Sequence, residues 1–257
     1  MAKVRHLARA PIQEAILDFE FSGPGLSQVQ IDSISSRYVK SGSKTKKIEM
    51  PVVAPPPLAV GGIDVPGGKW NYISLEEHVG LPPSAGRSVL ISQNQVAVSS
   101  VRSYPGWDEF EVLAERAFSS YVELAENPRV TRLSARFINR IAPDPTYADY
   151  SSILERPPQS LPGEGLEGSK ITDFLRRHVV DGLRGNFTAN LTVGTATPEP
   201  LEITKNTKAI LIDIDVFKMC DLAADFVSLR SELATMREIK NALFFGSLKE
   251  HVVERYI

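Results

Sequence analysis

The chain has 257 residues, of which 42% are hydrophobic and 23% are charged, and its formal net charge is −2. A chain of this length and composition can bury a hydrophobic core, as one large domain or as two smaller lobes. The small net charge gives no overall reason to bind nucleic acid, which would favour a clear excess of Lys and Arg. The single cysteine, Cys220, excludes an intramolecular disulfide and a zinc site built from clustered cysteines.

The sequence carries no sign of a membrane-spanning or secretory segment. No apolar run approaches the roughly 20 residues that span a bilayer, and the start of the chain lacks the hydrophobic centre of a signal peptide. We therefore expect a cytoplasmic protein that does not contact membranes. Nucleic acid is not expected as a partner.

The first element that the sequence predicts is a strand over residues 12–21 with two different faces. Side chains alternate across a strand with a period of two, and here one face is apolar and the other acidic. The acidic face carries Glu14, Asp18 and Glu20.

A helix is predicted after this strand, because Ser27 and Gln30 have the spacing of a capping box. The helix should run to about Tyr38, and its apolar stripe should bury Ile31 and Ile34. The lysines that follow are typical of a solvated strand edge that resists aggregation. They are Lys44, Lys46 and Lys47.

Residues 58–103 have the composition of a β-meander, with strands predicted over 70–75, 88–92 and 95–101. A helix is predicted over 107–126, because apolar residues recur there at spacings of three and four.

The most informative stretch is the strand predicted over residues 129–141. Leu133, Ala135, Phe137 and Ile141 share one face, which we expect in the core. The other face carries a row of guanidinium groups, and an unpaired buried charge costs several kcal/mol. Water or acidic partners must therefore meet this row. It consists of Arg132, Arg136 and Arg140.

Residues 143–168 are rich in proline and glycine, which predicts a long ordered loop or a connection between lobes. We therefore divide the chain into an N-terminal α+β half (1–142), this connection, and a C-terminal α+β half (169–257). We expect the two halves to pack as one globular unit.

The C-terminal half is predicted to contain two helices, three strands and a short final helix. The predicted helices cover 171–180 and 226–245, and the predicted strands cover 186–193, 201–204 and 208–217. Ser247 and Glu250 have a second capping-box spacing, which would start the final helix. The element order predicts an α+β fold of mainly antiparallel sheet covered by helices, in two halves that could be related.

The candidate functional site is a polar face formed by acidic and basic residues on three predicted strands. Two acidic strands beside an arginine-faced strand would form a salt-bridged sheet surface, which we favour over a metal site. We expect Arg132 or Arg136 to pair with at least one acid of this face. The candidate residues are Arg132, Arg136, Arg140, Glu14, Asp18, Asp213 and Asp215.

Motifs of catalysis are missing from the sequence. The four histidines are scattered without metal-ligand spacing, and no Gly-x-Ser-x-Gly motif occurs. We therefore expect no metal and no cofactor, and the residues identify no catalytic group.

The alternative interpretation is a site for a phosphate-bearing ligand such as a nucleotide. Arginines can grip phosphates bidentately, and with acids opposite for Mg²⁺ the face would resemble the charged lumen of a triphosphate tunnel enzyme. The first strand departs from the Glu-x-Glu-x-Lys pattern of that family, since it reads Asp18-Phe19-Glu20-Phe21-Ser22.

Five short landmarks occur in order along the chain. They are PIQEAI at 11–16, WDEF at 107–110, RLSARFINRI at 132–141, IDIDV at 212–216 and LFFGSL at 243–248. In these segments the chain resembles a sporadically distributed bacterial family of uncharacterised proteins of about this length. The resemblance implies horizontally transferred loci, such as defence or toxin-related modules, and it assigns no catalytic residue. The expected partner is another protein or a second copy of this chain.

Overall fold

The structure is a computed structural model that describes residues 7–39, 44–50, 68–75, 86–159, 171–196 and 208–257. Its strands are β1 (Ile12–Ser22), β2 (Lys44–Met50), β3 (Gly68–Ser74), β4 (Gly86–Ile91), β5 (Gln95–Val101), β6 (Arg129–Ile141), β7 (Leu175–Leu183), β8 (Phe187–Thr195) and β9 (Ile210–Ala223). Its helices are α1 (Gln28–Val39), α2 (Trp107–Val122), α3 (Phe226–Phe245) and α4 (Glu250–Val253), with 3₁₀ turns at Tyr150–Ser152 and Glu254–Tyr256. The predicted α+β class is confirmed.

The chain forms two compact units that interleave along the sequence. The first unit contains Gln13–Arg136 and Phe217–Ala234, and the second contains Met1–Ile12, Phe137–Val216 and Thr235–Ile257. Each unit is discontinuous in sequence. The division into an N-terminal and a C-terminal half that pack as one globular unit stays a prediction.

The sheet of the first unit has the strand order β2-β3-β4-β5-β1-β6, with the end of β9 beside β6. The pairs from β2 to β5, and the pair of β5 with β1, are antiparallel. In the β1/β5 pair Asp18 lies opposite Ala97, and Glu20 lies opposite Gln95. This register fixes which polar side chains can meet.

Helix α2 packs on the apolar face of β1. The ring of Phe118 lies 5.1 Å from that of Phe19, and the ring of Tyr121 stacks on Phe21 at 4.2 Å. The first residue of α3, Phe226, lies 5.5 Å from Phe118. Burial of such a side chain contributes about 1.5 to 3 kcal/mol. Since side chains alternate along β1, Asp18 lies on the face opposite these helices.

Helix α1 begins with the capping box that the sequence predicts. The backbone N–H of Ser27 donates to Gln30 Oε1 at 2.8 Å, and the backbone N–H of Gln30 donates to Ser27 Oγ at 3.4 Å. Ile31, Ile34 and Tyr38 are buried, as the periodicity predicts. The capping box and the apolar stripe of α1 are both confirmed.

The second unit has the strand order β6-β9-β8-β7, and β7 and β8 form an antiparallel hairpin. The helix predicted over 171–180 is wrong, because its last six residues form the start of β7. Most side chains of β7 are exposed, so their apolar spacing does not report a buried helical stripe.

The other C-terminal predictions have mixed outcomes. The helix over 226–245 and the strands over 186–193 and 208–217 are confirmed. The second capping box is wrong, because Ser247 Oγ donates to the Leu243 carbonyl at 2.7 Å and Lys249 occupies the N-cap of α4. The strand predicted over 201–204 lies outside the described residues.

In the described ranges, no helix is long and apolar enough to cross a membrane.

Candidate functional site

The polar face of the first unit is organised around Arg132 on β6. Its guanidinium group contacts two acidic side chains of the neighbouring strand β1 and lies over an aromatic ring of β9. Gln95 of β5 donates a further hydrogen bond to Asp18, the acid closer to the guanidinium. We refer to these side chains as the Arg132 cluster. It consists of Asp18, Glu20, Gln95, Arg132 and Phe217.

Asp18 accepts two short hydrogen bonds in this cluster. Arg132 Nη1 donates to Asp18 Oδ2 at 2.8 Å, and Gln95 Nε2 donates to Asp18 Oδ1 at 2.6 Å. The same Nη1 atom donates to Glu20 Oε1 at 3.3 Å. The predicted pairing of Arg132 with an acid of this face is therefore confirmed.

The Arg132 cluster is largely shielded from water. The side chain of Asp18 is 9% exposed, that of Arg132 is 22% exposed and that of Glu20 is 32% exposed. A carboxylate this buried requires a cation and hydrogen bonds, and both are present. The guanidinium carbon of Arg132 also lies 5.1 Å from the centre of the Phe217 ring, which adds a cation–π contact.

Strand register explains why these side chains meet. Asp18 and Glu20 are two residues apart on β1 and therefore point to the same face. Glu20 is directly opposite Gln95, so the Gln95 side chain reaches diagonally to Asp18. Further along β1, Ser99 Oγ donates to Glu14 Oε1 at 2.8 Å. Each of these acids of β1 has a hydrogen-bond donor on a neighbouring strand.

The remaining candidate residues are half-buried and fall in both units. Arg136 lies on β6 in the first unit, whereas Arg140, Asp213 and Asp215 belong to the second. Asn190 Nδ2 on β8 donates to Asp215 Oδ2 at 3.4 Å. The use of these residues as one ligand-binding face stays a prediction.

Sequence reasoning missed Gln95 and Phe217 as members of the Arg132 cluster. Gln95 is 77 residues from Asp18, and its position in the cluster depends on the β1/β5 register. For Phe217, the sequence indicates only the face of the strand, which it shares with Asp213 and Asp215 by the period of two. The sequence does not indicate that Arg132 is its neighbour.

Lys240 of α3 is a second feature that the sequence did not single out. Its Nζ lies 4.2 Å from the centre of the Phe137 ring in the second unit. Burial, and to a smaller extent the nearby positive charge of Arg237, together lower the pKa of this ammonium from 10.5 to about 7. A lysine in this state is partly neutral at neutral pH and can accept a proton.

Two further kinds of functional site are relevant to the described residues, a metal site and a reactive thiol at Cys220. Within the described ranges, no group of three or more His, Cys, Asp or Glu residues is placed to hold a metal ion. The thiol of Cys220 contacts the Val130 carbonyl at 3.4 Å, and burial raises its pKa. A raised pKa disfavours the thiolate, which is the nucleophilic form of cysteine.

Comparison of the chain with models of protein families and with curated proteins finds no match.

Proposed function

We propose that the protein is a non-enzymatic interaction or regulatory protein, encoded in a horizontally transferred bacterial locus of the defence or toxin type. The origin in such a locus rests on the family resemblance of the five landmarks. The interaction role rests on one observation, which is that the guanidinium of Arg132 already contacts Asp18 and Glu20. Because its charges compensate each other, the Arg132 cluster stabilises the sheet and does not form a ligand site. The partner is then another protein or a second copy of the chain.

Charge balance in the Arg132 cluster disfavours a phosphate ligand. One guanidinium faces two carboxylates, so the three groups together carry a net negative charge when all are ionised. At comparable distances, the repulsion of a phosphate group by Asp18 and Glu20 together would exceed its attraction to Arg132.

Displacing Asp18 from Arg132 would also be costly. Its carboxylate would lose the 2.8 Å contact with the guanidinium while its side chain stays 9% exposed. Removing one partner of a buried ion pair costs about 3 to 5 kcal/mol. A ligand would have to supply that free energy before it gained any affinity.

Calorimetric titration of the protein with ATP, GTP and inorganic phosphate, each with and without Mg²⁺, tests the proposal. We expect no saturable heat and no change in melting temperature, because Arg132 is held by carboxylates. Arg132→Met is the matched variant. Saturable binding by the wild-type protein that disappears in a folded Arg132→Met variant would overturn the proposal in favour of nucleotide binding.

A further inference from the structure

Strand β7 is the last strand in the order of the second unit, and most of its residues are exposed. In the part of the chain that the structure describes, no strand lies beyond it. Its apolar side chains face water, with Leu175 45% exposed, Val179 57% exposed and Val180 37% exposed. An exposed edge with apolar side chains is a template for pairing with another strand.

The two end strands of the order differ in sequence. β2, at the opposite end, contains Lys44, Lys46 and Lys47, and lysines on an edge strand oppose pairing with another edge. β7 has two adjacent valines at its centre, and it carries both positive and negative charge, with Arg176 and Arg177 before the valines and Asp181 after them. Opposite charges of two β7 strands can therefore meet when the strands pair.

We propose that β7 pairs with β7 of a second copy of this chain, antiparallel and about a two-fold axis at Val179. This inference rests on the proposed interaction function and names its partner. The Val179-centred register places Arg177 opposite Asp181 of the second copy, twice by symmetry. It also places Val179 opposite itself on the same face, and His178 opposite Val180 on the other face.

Symmetry restricts the registers that two identical strands can adopt. Residues directly opposite each other in an antiparallel pair lie on the same face, and neighbours along a strand lie on opposite faces. A two-fold axis normal to the sheet places a given residue of both copies on the same face. Residues directly opposite each other must therefore be an even number of positions apart in sequence. This condition holds only when the axis passes beside a residue and not between two residues.

The other residue-centred registers of β7 are less favourable. Centring on Arg177 places two guanidinium groups directly opposite each other, which is destabilising. Centring on His178 places Leu175 opposite Asp181, and centring on Val180 places Asp181 opposite a valine. Only the Val179-centred register makes opposite charges meet.

The backbone of β7 is regular over four of the five residues that this register uses, Arg177 to Val180. The register with β8 is continuous from Leu175 to Val180 and shifts between Val180 and Leu183, where Gly182 has a positive φ of 72°. Asp181 lies within that irregularity, but Thr188 Oγ1 of β8, two residues from the Asn190 that is opposite Val179, donates to its Oδ1 at 2.8 Å. The carboxylate is thereby held on the face of Arg177, while the side chain stays exposed.

Sedimentation equilibrium of the full chain over a wide range of concentrations tests the proposal. We expect a monomer–dimer equilibrium. Val179→Lys places two ammonium groups together on the axis and should raise the dimer dissociation constant at least about tenfold. Val112→Lys is the matched control, because Val112 is an exposed valine of α2 in the other unit, 65% exposed. It should leave the constant unchanged.

Charge reversal tests the register itself. Arg177→Asp and Asp181→Arg each place like charges opposite one another twice, so each should weaken the dimer. The double variant Arg177→Asp/Asp181→Arg restores opposite charges and should recover the wild-type constant. Recovery in the double variant is specific to the Val179-centred register.

Three results would overturn the inference. They are a monomer at every concentration, a dimer that Val179→Lys does not weaken, and a double variant as weak as the single ones. None of them touches the proposed interaction function, since another protein could still be the partner. Nucleotide binding through Arg132 would overturn that function whatever the state of β7.

Discussion

Removing the guanidinium of Arg132 should destabilise the protein clearly, and Arg132→Met is the variant of choice. Methionine keeps an unbranched apolar side chain over the Phe217 ring, so most of the packing is preserved. The variant removes the cation that faces Asp18 and Glu20. It therefore reports on charge compensation more than on volume.

The magnitude follows from the burial of Asp18. Breaking a fully buried ion pair by removing one partner costs about 3 to 5 kcal/mol. The Asp18 side chain is 9% exposed and keeps the 2.6 Å hydrogen bond from Gln95, which offsets part of that loss. We expect Arg132→Met to lower the free energy of unfolding by about 2 to 4 kcal/mol.

Urea denaturation of wild type and variant measures this difference. Arg37→Met is the matched control in the same unit, because Arg37 pairs with Glu123 in water, with side chains 44% and 60% exposed. Exposed pairs contribute little to stability, so the control should leave the denaturation midpoint nearly unchanged. A midpoint shift for Arg132→Met no larger than that for Arg37→Met would show that Arg132 does not compensate the buried charge of Asp18.

Two further predictions concern α1 and α3. Ser27→Ala removes one half of the capping box with Gln30 and should lower the free energy of unfolding by about 0.5 to 2 kcal/mol, measured by urea denaturation; no loss would contradict the role of the box. Lys240→Met should change the pH dependence of stability, because the pKa of Lys240 is 10.5 ordinarily and about 7 in the folded chain. As pH falls from 10.5 to 7, the Lys240 amine becomes protonated in the unfolded chain before it does in the folded chain. The stability of the wild type therefore declines over this range, by at most about 5 kcal/mol at about 1.4 kcal/mol per pKa unit. The stability of the variant relative to wild type should therefore rise over that range and level off below pH 7, and a pH-independent difference would contradict the burial of the ammonium.

Sequence alone predicted the elements whose apolar residues face a core. The stripe of α2 and the alternation of β6 each mark one buried face, and periodicity reports such a face directly. It failed on β7, where both faces are largely exposed and the apolar residues carry no information about a core. The Ser247 spacing failed because a hydroxyl near the end of a helix can also donate back to a carbonyl of that helix.

The candidate site was predicted in part. Complementary charge on distant strands predicted that Arg132 or Arg136 pairs with an acid of the polar face, and the structure shows the pair of Arg132 with Asp18. Gln95 could not be predicted, since its contact depends on the register of β5 against β1. Lys240 could not be predicted either, because its pKa depends on burial over the Phe137 ring.

The coupling free energy between Arg132 and Asp18 tests most directly whether the charged face is a structural network. A double-mutant cycle with Arg132→Met, Asp18→Asn and the combined variant measures it by urea denaturation. We predict a favourable coupling of about 1 to 3 kcal/mol, with the double variant more stable than the sum of the two single losses implies. A coupling within about 0.3 kcal/mol of zero would contradict the account, because the two charges would then not be compensating each other.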